Sequence, residues 1–95
     1  MSKQTHDLLV AFSQLENEAG VKNFLKDLLT PAEIDEFSTR FQIAKLLWTT
    51  QMSYAEIADQ LHTSTTTVTR VARFLNKEPY KGYKTVLTKL YPKKN

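Results

Sequence analysis

The 95-residue chain has no cysteine, and it has only two glycines and three prolines. The missing cysteine excludes disulfide bonds and cysteine-ligated metal sites, and it is compatible with the cytosol. So few glycines and prolines favour long helices over a many-stranded sheet, which needs frequent tight turns. No segment approaches the roughly 20 apolar residues of a membrane span, and the N-terminus lacks the apolar run of a signal peptide. We therefore expect a soluble, cytoplasmic protein without membrane contact.

Charge is distributed unevenly along a chain whose length predicts one domain over residues 1–95. Residues 1–48 contain five basic and seven acidic side chains, a net charge of −2, whereas residues 49–95 contain eight and three, a net charge of +5. A basic C-terminal half is typical of proteins that bind a polyanion.

Apolar periodicity and capping residues predict helices along the whole chain. They predict helices over residues 6–19 and 21–29, with Gly20 ending the first, and a long helix that Thr30 caps and that ends near residue 49 or 50. A capping box at Ser53 opens a short helix, Ser64 caps the next, and a last helix covers residues 80–91. The fold class is therefore predicted to be all-α.

The two helices around His62 predict a helix-turn-helix unit over about residues 53–76. Ala58 is small enough to let the second helix cross close to the first, and Leu61 and Val68 can fill the wedge between them. Residue 62 must bend the chain, often in the left-handed conformation, which histidine tolerates better than most residues.

The second helix of this unit begins in LHTSTTTVTR, Leu61 to Arg70, which is unusually rich in hydroxyl groups. Small side chains let a helix backbone approach the DNA major groove, where hydroxyl groups can donate and accept hydrogen bonds and methyl groups can meet thymine. Thr65, Thr66 and Thr69 share the face opposite Val68 and Val71, so we expect them to read bases. The other hydroxyls and the two arginines would bind phosphate. The predicted DNA-binding residues are Ser64, Thr65, Thr66, Thr67, Thr69, Arg70 and Arg73.

Two other classes of function are alternatives to a DNA-binding regulator. A helical dimeric protein–protein interaction module without DNA binding is the alternative, because Ala55 and Ala58 leave the first helix of the unit less basic than DNA binding favours. An enzyme is not expected, since the sequence has no nucleophile–base pair, phosphate-binding loop or metal-ligand spacing. His6 and His62 are too far apart to suggest a metal site, and no cofactor is predicted.

Two stretches resemble the Trp repressor family, and more closely its YerC/YecD-type branch of transcriptional regulators: LLTPAEIDEFSTRFQIAKLL and MSYAEIADQLHTSTTTVTRVARFLN. The match covers roughly residues 28–91 without gaps. The resemblance implies six helices, an intertwined homodimer with two protruding helix-turn-helix units, and double-stranded DNA as the partner. In the repressors of this family, bound tryptophan sets the angle of the helix-turn-helix units.

The resemblance also implies an effector pocket, which this sequence alters. Thr30, Arg40 and Arg70 match residues that hold tryptophan in the repressors. Val71 replaces a glycine that leaves room for the indole, and Phe74 replaces a serine beside the ligand's ammonium group. Larger side chains take up ligand volume. We therefore expect no tryptophan binding of the repressor kind: either these side chains fill the pocket, or another small-molecule effector binds.

Overall fold

The computed structural model describes residues 1–93, and within that range it contains six α-helices and no β-strand. The helices are α1 (Lys3–Ser13), α2 (Glu18–Leu28), α3 (Pro31–Thr49), α4 (Tyr54–Gln60), α5 (Thr65–Asn76) and α6 (Gly82–Leu90). The predicted all-α fold class is confirmed. Among these helices, none combines the length and the apolarity that crossing a bilayer requires.

The chain divides into two compact units, Met1–Asp35 and the residues from Glu36 onward. The first unit holds α1, α2 and the start of α3, and the second holds the rest of α3 with α4, α5 and α6.

In the first unit, side-chain caps decide where the helices begin. The Ser2 hydroxyl accepts from the Thr5 backbone N–H at 3.1 Å, and the Asn17 side chain accepts from that of Gly20 at 2.9 Å. The predicted end of a helix at Gly20 is wrong, because Asn17 caps α2, which begins at Glu18 and contains Gly20 in its first turn. Phe12 and Phe24 pack edge to face at 5.2 Å, but neither α1 nor α2 has a buried residue.

The predicted Thr30 cap and the predicted Ser53 capping box are both present, and Thr30 also forms a full capping box. The Thr30 N–H donates to Glu33 Oε1 at 2.9 Å, and the Glu33 N–H donates to Thr30 Oγ1 at 3.2 Å. In the same way, the Ser53 N–H donates to Glu56 Oε1 at 3.0 Å, and the Glu56 N–H donates to Ser53 Oγ at 3.1 Å. These bonds stabilise the ionised carboxylates and hold the pKa of both glutamates below its ordinary value, mainly through the backbone N–H of the capping residue.

The core of the second unit is formed by all four of its helices. Its buried residues are Ile43 and Ala44 of α3, Ile57 and Ala58 of α4, Val68, Val71 and Leu75 of α5, and Leu87 of α6. α5 packs against both α4 and α6, so it is the central element of this core. At the far end of α6, Trp48 Nε1 donates to the Tyr91 carbonyl at 2.8 Å and joins the ends of α3 and α6.

Ile57→Ala should destabilise the protein more than any surface change in α4, because the fully buried Ile57 packs α4 onto this core. We expect the free energy of unfolding to fall by about 2–5 kcal/mol in denaturant titrations at one fixed protein concentration. The exposed Gln60 of the same helix provides a control: Gln60→Ala should stay within about 0.5 kcal/mol of the unmodified protein. Equal losses in both variants would contradict the placement of α4.

Candidate nucleic-acid interface

Four residues, 61–64, join α4 to α5 in a tight turn. His62 has a φ of 55°, which confirms the predicted left-handed conformation, and the following Thr63 N–H donates to the Ala58 carbonyl at 2.9 Å. Ser64 then caps α5, its hydroxyl accepting from the Thr67 N–H at 3.1 Å. Together with the burial of Ala58 and Val68 between the helices, these contacts define a helix-turn-helix unit.

The two sides of α5 differ sharply in burial. Val68 is fully buried and Val71 is 3% exposed, whereas Thr65, Thr66 and Thr69 lie on the exposed side. The core therefore takes up the apolar residues of α5 and leaves its small hydroxyl-bearing residues facing solvent. We call Thr65, Thr66 and Thr69 the hydroxyl surface.

The hydroxyl groups near the start of α5 are not equivalent. Thr69 Oγ1 donates to the Thr65 carbonyl at 2.8 Å, so its proton is used within the helix while its lone pairs can still accept. The hydroxyls of Ser64 and Thr67 lie 2.9 Å apart and form part of the cap. Those of Thr65 and Thr66 form no hydrogen bond with another residue in the range 1–93, so both can donate and accept.

The two arginines of α5 have different surroundings. Arg70 is exposed and forms no ion pair with any residue that the structure describes. Arg73 Nε donates to Glu78 Oε1 at 2.7 Å, so a neighbouring carboxylate compensates its charge. Of the two, Arg70 is therefore the available cation.

A cleft of about 490 Å³, which Arg70 also lines, is formed within the second unit. Its lining residues are Glu36, Thr39, Arg40, Leu61, His62, Thr63, Thr67, Arg70, Val71, Phe74 and Tyr83. Four of the five predicted pocket residues are thus brought together. The fifth, Thr30, belongs to the first unit, where it caps α3.

Val71 and Phe74 leave this cleft open. Val71 packs into the core, and Phe74, at 38% exposure, stacks on Tyr80 with ring centroids 6.4 Å apart. Across the cleft, Arg40 pairs with Glu36 at 2.7 Å and lies 5.5 Å from the centre of the Phe37 ring. The volume falls within the range of about 300–1,000 Å³ that is typical of ligand pockets.

Tyr83 was not among the predicted pocket residues, yet it lines this cleft. Burial raises the pKa of its phenol, while the nearby positive charges of Arg40 and Arg70 act in the opposite direction. The sequence offers no local signal for this placement, because Tyr83 comes from α6 and only packing brings it near α3 and α5. The Glu36–Arg40 pair, in contrast, follows from a four-residue helical spacing.

No three histidine or acidic side chains are grouped closely enough to hold a metal ion in the part of the chain that the structure describes.

The all-α fold and the helix-turn-helix formed by α4 and α5 place the chain among helix-turn-helix proteins. Comparison with known proteins gives the family. Residues 3–91 match the profile of the family described as Trp repressor protein, and the chain belongs to this family. No curated protein gave a significant match.

Two solved structures are similar over nearly their whole length. One is a Staphylococcus aureus protein provisionally described as a Trp repressor, with 30% identity and a TM-score of 0.85 over 100% of this chain and 93% of that one. The other is a TrpR-like protein from Eubacterium eligens, with 31% identity and a TM-score of 0.85 over 99% of this chain and 95% of that one.

Replacing Arg40 with glutamine should raise the pKa of Tyr83 further, because the lost cation would no longer favour the phenolate. Absorbance titration of the phenols should show the highest-pH phase move upward in Arg40→Gln and disappear in Tyr83→Phe. Arg73→Gln is the matched control, since the charge of Arg73 is paired with Glu78. A raised pKa means that the folded state keeps its proton longer. Stability should therefore fall as pH rises above the ordinary phenol value of 10.0, and less steeply in Tyr83→Phe.

Proposed function

We propose that this chain is a sequence-specific, DNA-binding transcriptional regulator of the Trp repressor type, in which α5 enters the major groove. The observation that carries the proposal is the hydroxyl surface: α5 exposes Thr65, Thr66 and Thr69 and buries the apolar residues on its other side. Membership of the Trp repressor family supports it. A regulator of this kind would act in the cytoplasm, without catalysis.

The hydrogen bonds within α5 refine what each threonine would read. Because the Thr69 proton is used within the helix, its hydroxyl would accept from the amino group of adenine or cytosine, which are the donors in the major groove. Thr65 and Thr66 would either donate or accept. All three carry a methyl group that can contact the C5-methyl of thymine.

Phosphate contacts would position α5 in the groove. The free N–H groups at the start of α5, the Ser64 and Thr67 hydroxyls and the Arg70 guanidinium are suited to bind phosphate oxygens. Arg73 belongs to the same proposed set, although Glu78 compensates its charge. The net charge of +5 over residues 49–95 favours the approach of DNA.

The regulator would act as a homodimer. The first unit exposes several large apolar side chains, which a second chain could cover: Leu8, Leu9, Val10, Phe12, Val21 and Leu28. The resemblance implies that two such chains intertwine. A dimer of this kind binds two half-sites whose centres lie about 34–36 Å apart, one helical turn of DNA.

A small anion, rather than tryptophan, is the effector that the cleft favours. Arg70 supplies its uncompensated positive charge, because Glu36, the one acidic residue that lines the cleft, pairs with Arg40. The remaining N–H groups of Arg40 and the ring of His62 can also donate hydrogen bonds to an anion. Open volume remains beside Val71 and Phe74. It therefore favours binding of an effector of different shape over the alternative that these side chains fill the pocket. Thr30 stays part of the proposed pocket through the family resemblance alone.

One observation favours the alternative, a helical dimeric interaction module without DNA binding. The exposed positions of α4 carry no basic side chain, and Glu56 and Asp59 give this helix a negative charge. Chromatography on heparin and duplex-DNA columns distinguishes the two functions. A DNA-binding regulator would be retained, whereas an interaction module without DNA binding would pass through.

Thr69→Val and Arg70→Gln should separate base reading from phosphate binding. We expect duplexes selected from random sequence to bind the unmodified protein tightly, with a footprint of two half-sites. Thr69→Val keeps the shape but loses the hydroxyl, so discrimination at one base position should fall by about 1–3 kcal/mol. Arg70→Gln should weaken binding to all duplexes and reduce the salt slope by about one for each protomer. If both variants lose affinity equally on all DNA, the base-reading role is wrong.

Tryptophan should give no saturable stabilisation in a thermal-shift titration, because Val71 and Phe74 occupy positions that the repressors leave open for the indole. The same plate should include small organic anions, whose stabilising effect we expect to weaken in Arg40→Gln. A clear saturable shift with tryptophan would show that the repressor pocket is retained.

A further inference from the structure

A second depression, which we call the Tyr54 groove, runs along α5 beyond the hydroxyl surface. It has a volume of about 400 Å³. Its lining residues are Tyr54, Thr69, Ala72, Arg73, Asn76 and Lys77, and none of them is acidic. Thr69 belongs to both surfaces, so the groove continues directly from the residues proposed to read bases.

Most polar groups of the Tyr54 groove can donate a hydrogen bond. Tyr54 is 42% exposed, and its hydroxyl makes no hydrogen bond with another residue of the described range. Lys77 caps the end of α5 through its backbone N–H, which donates to the Arg73 carbonyl at 2.8 Å. Its exposed ammonium group forms no ion pair within residues 1–93. A phenol, an amide and an uncompensated cation suit an anionic oxygen ligand.

Arg73 contributes less charge to the groove than its position suggests. The Glu78 carboxylate is held at 2.7 Å from Arg73 Nε, and its side chain is only 21% exposed. This pair has no net charge, so the positive charge of the groove comes from Lys77. Glu78 thus distinguishes Arg73, whose charge is compensated, from Lys77, whose charge is not, although the two cations look equivalent in the sequence.

The length of the groove fits a polymer of phosphates. Thr69 and Lys77 are eight residues apart, about 12 Å along the helix axis. Each strand of duplex DNA carries one phosphate for about every 3.4 Å of the duplex axis, so the groove is long enough to face more than one phosphate.

We propose that the Tyr54 groove binds the sugar–phosphate backbone beside the bases that α5 reads. Lys77 supplies the charge and Tyr54 a hydrogen bond, while Glu78 limits the contribution of Arg73. This inference rests on the proposed function, because it assumes that α5 docks on DNA. It assigns Tyr54, Lys77 and Glu78 to the interface, in addition to the exposed threonines and Arg70.

Lys77→Ala and Tyr54→Phe test the groove by fluorescence anisotropy with a selected duplex and an unrelated one, over a range of NaCl concentrations. Lys77→Ala should weaken binding to both duplexes and lower the salt slope by about 0.9 for each protomer. Tyr54→Phe should weaken binding several-fold and leave the slope unchanged, because it removes no charge. Lys77→Gln repeats the charge loss with a longer side chain, in case the alanine variant folds poorly.

Two further variants separate a local contact from a general effect of charge. Lys89→Ala removes the same charge from the exposed last turn of α6, outside the groove, and should leave the slope unchanged. Glu78→Gln should raise the slope and the affinity, because it releases the charge of Arg73.

The outcomes distinguish this inference from the function on which it rests. If the unmodified protein binds the selected duplex, but Lys77→Ala behaves like Lys89→Ala and Tyr54→Phe binds normally, the groove inference alone is wrong. If the unmodified protein binds no duplex, both the groove inference and the proposed function are overturned.

Discussion

The packing of α4 against α5 is the contact on which the candidate interface depends. Ile57 and Val68 are fully buried there, and Ala58 is small enough to let the helices meet. Once Val68, Val71 and Leu75 face the core, the helical repeat turns Thr65, Thr66 and Thr69 toward solvent. A rotation of α5 about its axis would expose valines and bury hydroxyl groups without partners, and both changes cost free energy.

The polar residues at the start of α5 and on its exposed side have three different roles. The threonines of the hydroxyl surface face outward, and Ser64 and Thr67 close the start of the helix. Arg70 follows Thr69 of the hydroxyl surface in α5 and also lines the cleft, so a group that orders its side chain at one site affects its contacts at the other. This shared position gives a physical route by which an effector in the cleft could alter binding at α5, through one side chain rather than a change of fold.

Local sequence signals predicted the parts of the fold that depend on neighbours in the chain. The capping boxes at Thr30 and Ser53 are formed by residues three positions apart, and the left-handed turn at His62 follows from a tight connection between two helices. The break expected at Gly20 was wrong for a local reason as well. A glycine can lie within the first turn of a helix, and the Asn17 side chain is the stronger signal for the start of α2.

The sequence by itself determined the helices, the helix-turn-helix unit and the two-sided character of α5, because periodicity and capping act over three or four residues. Tertiary structure decided which further residues complete the cleft and which residues form the Tyr54 groove. Tyr83 reaches the cleft from α6, Tyr54 approaches α5 from another helix, and Glu78 folds back onto Arg73. Such contacts join residues of different helices or, for Glu78, a residue beyond the end of α5 with one inside it. Their distances depend on helix packing and on the path of the chain rather than on a regular helical spacing.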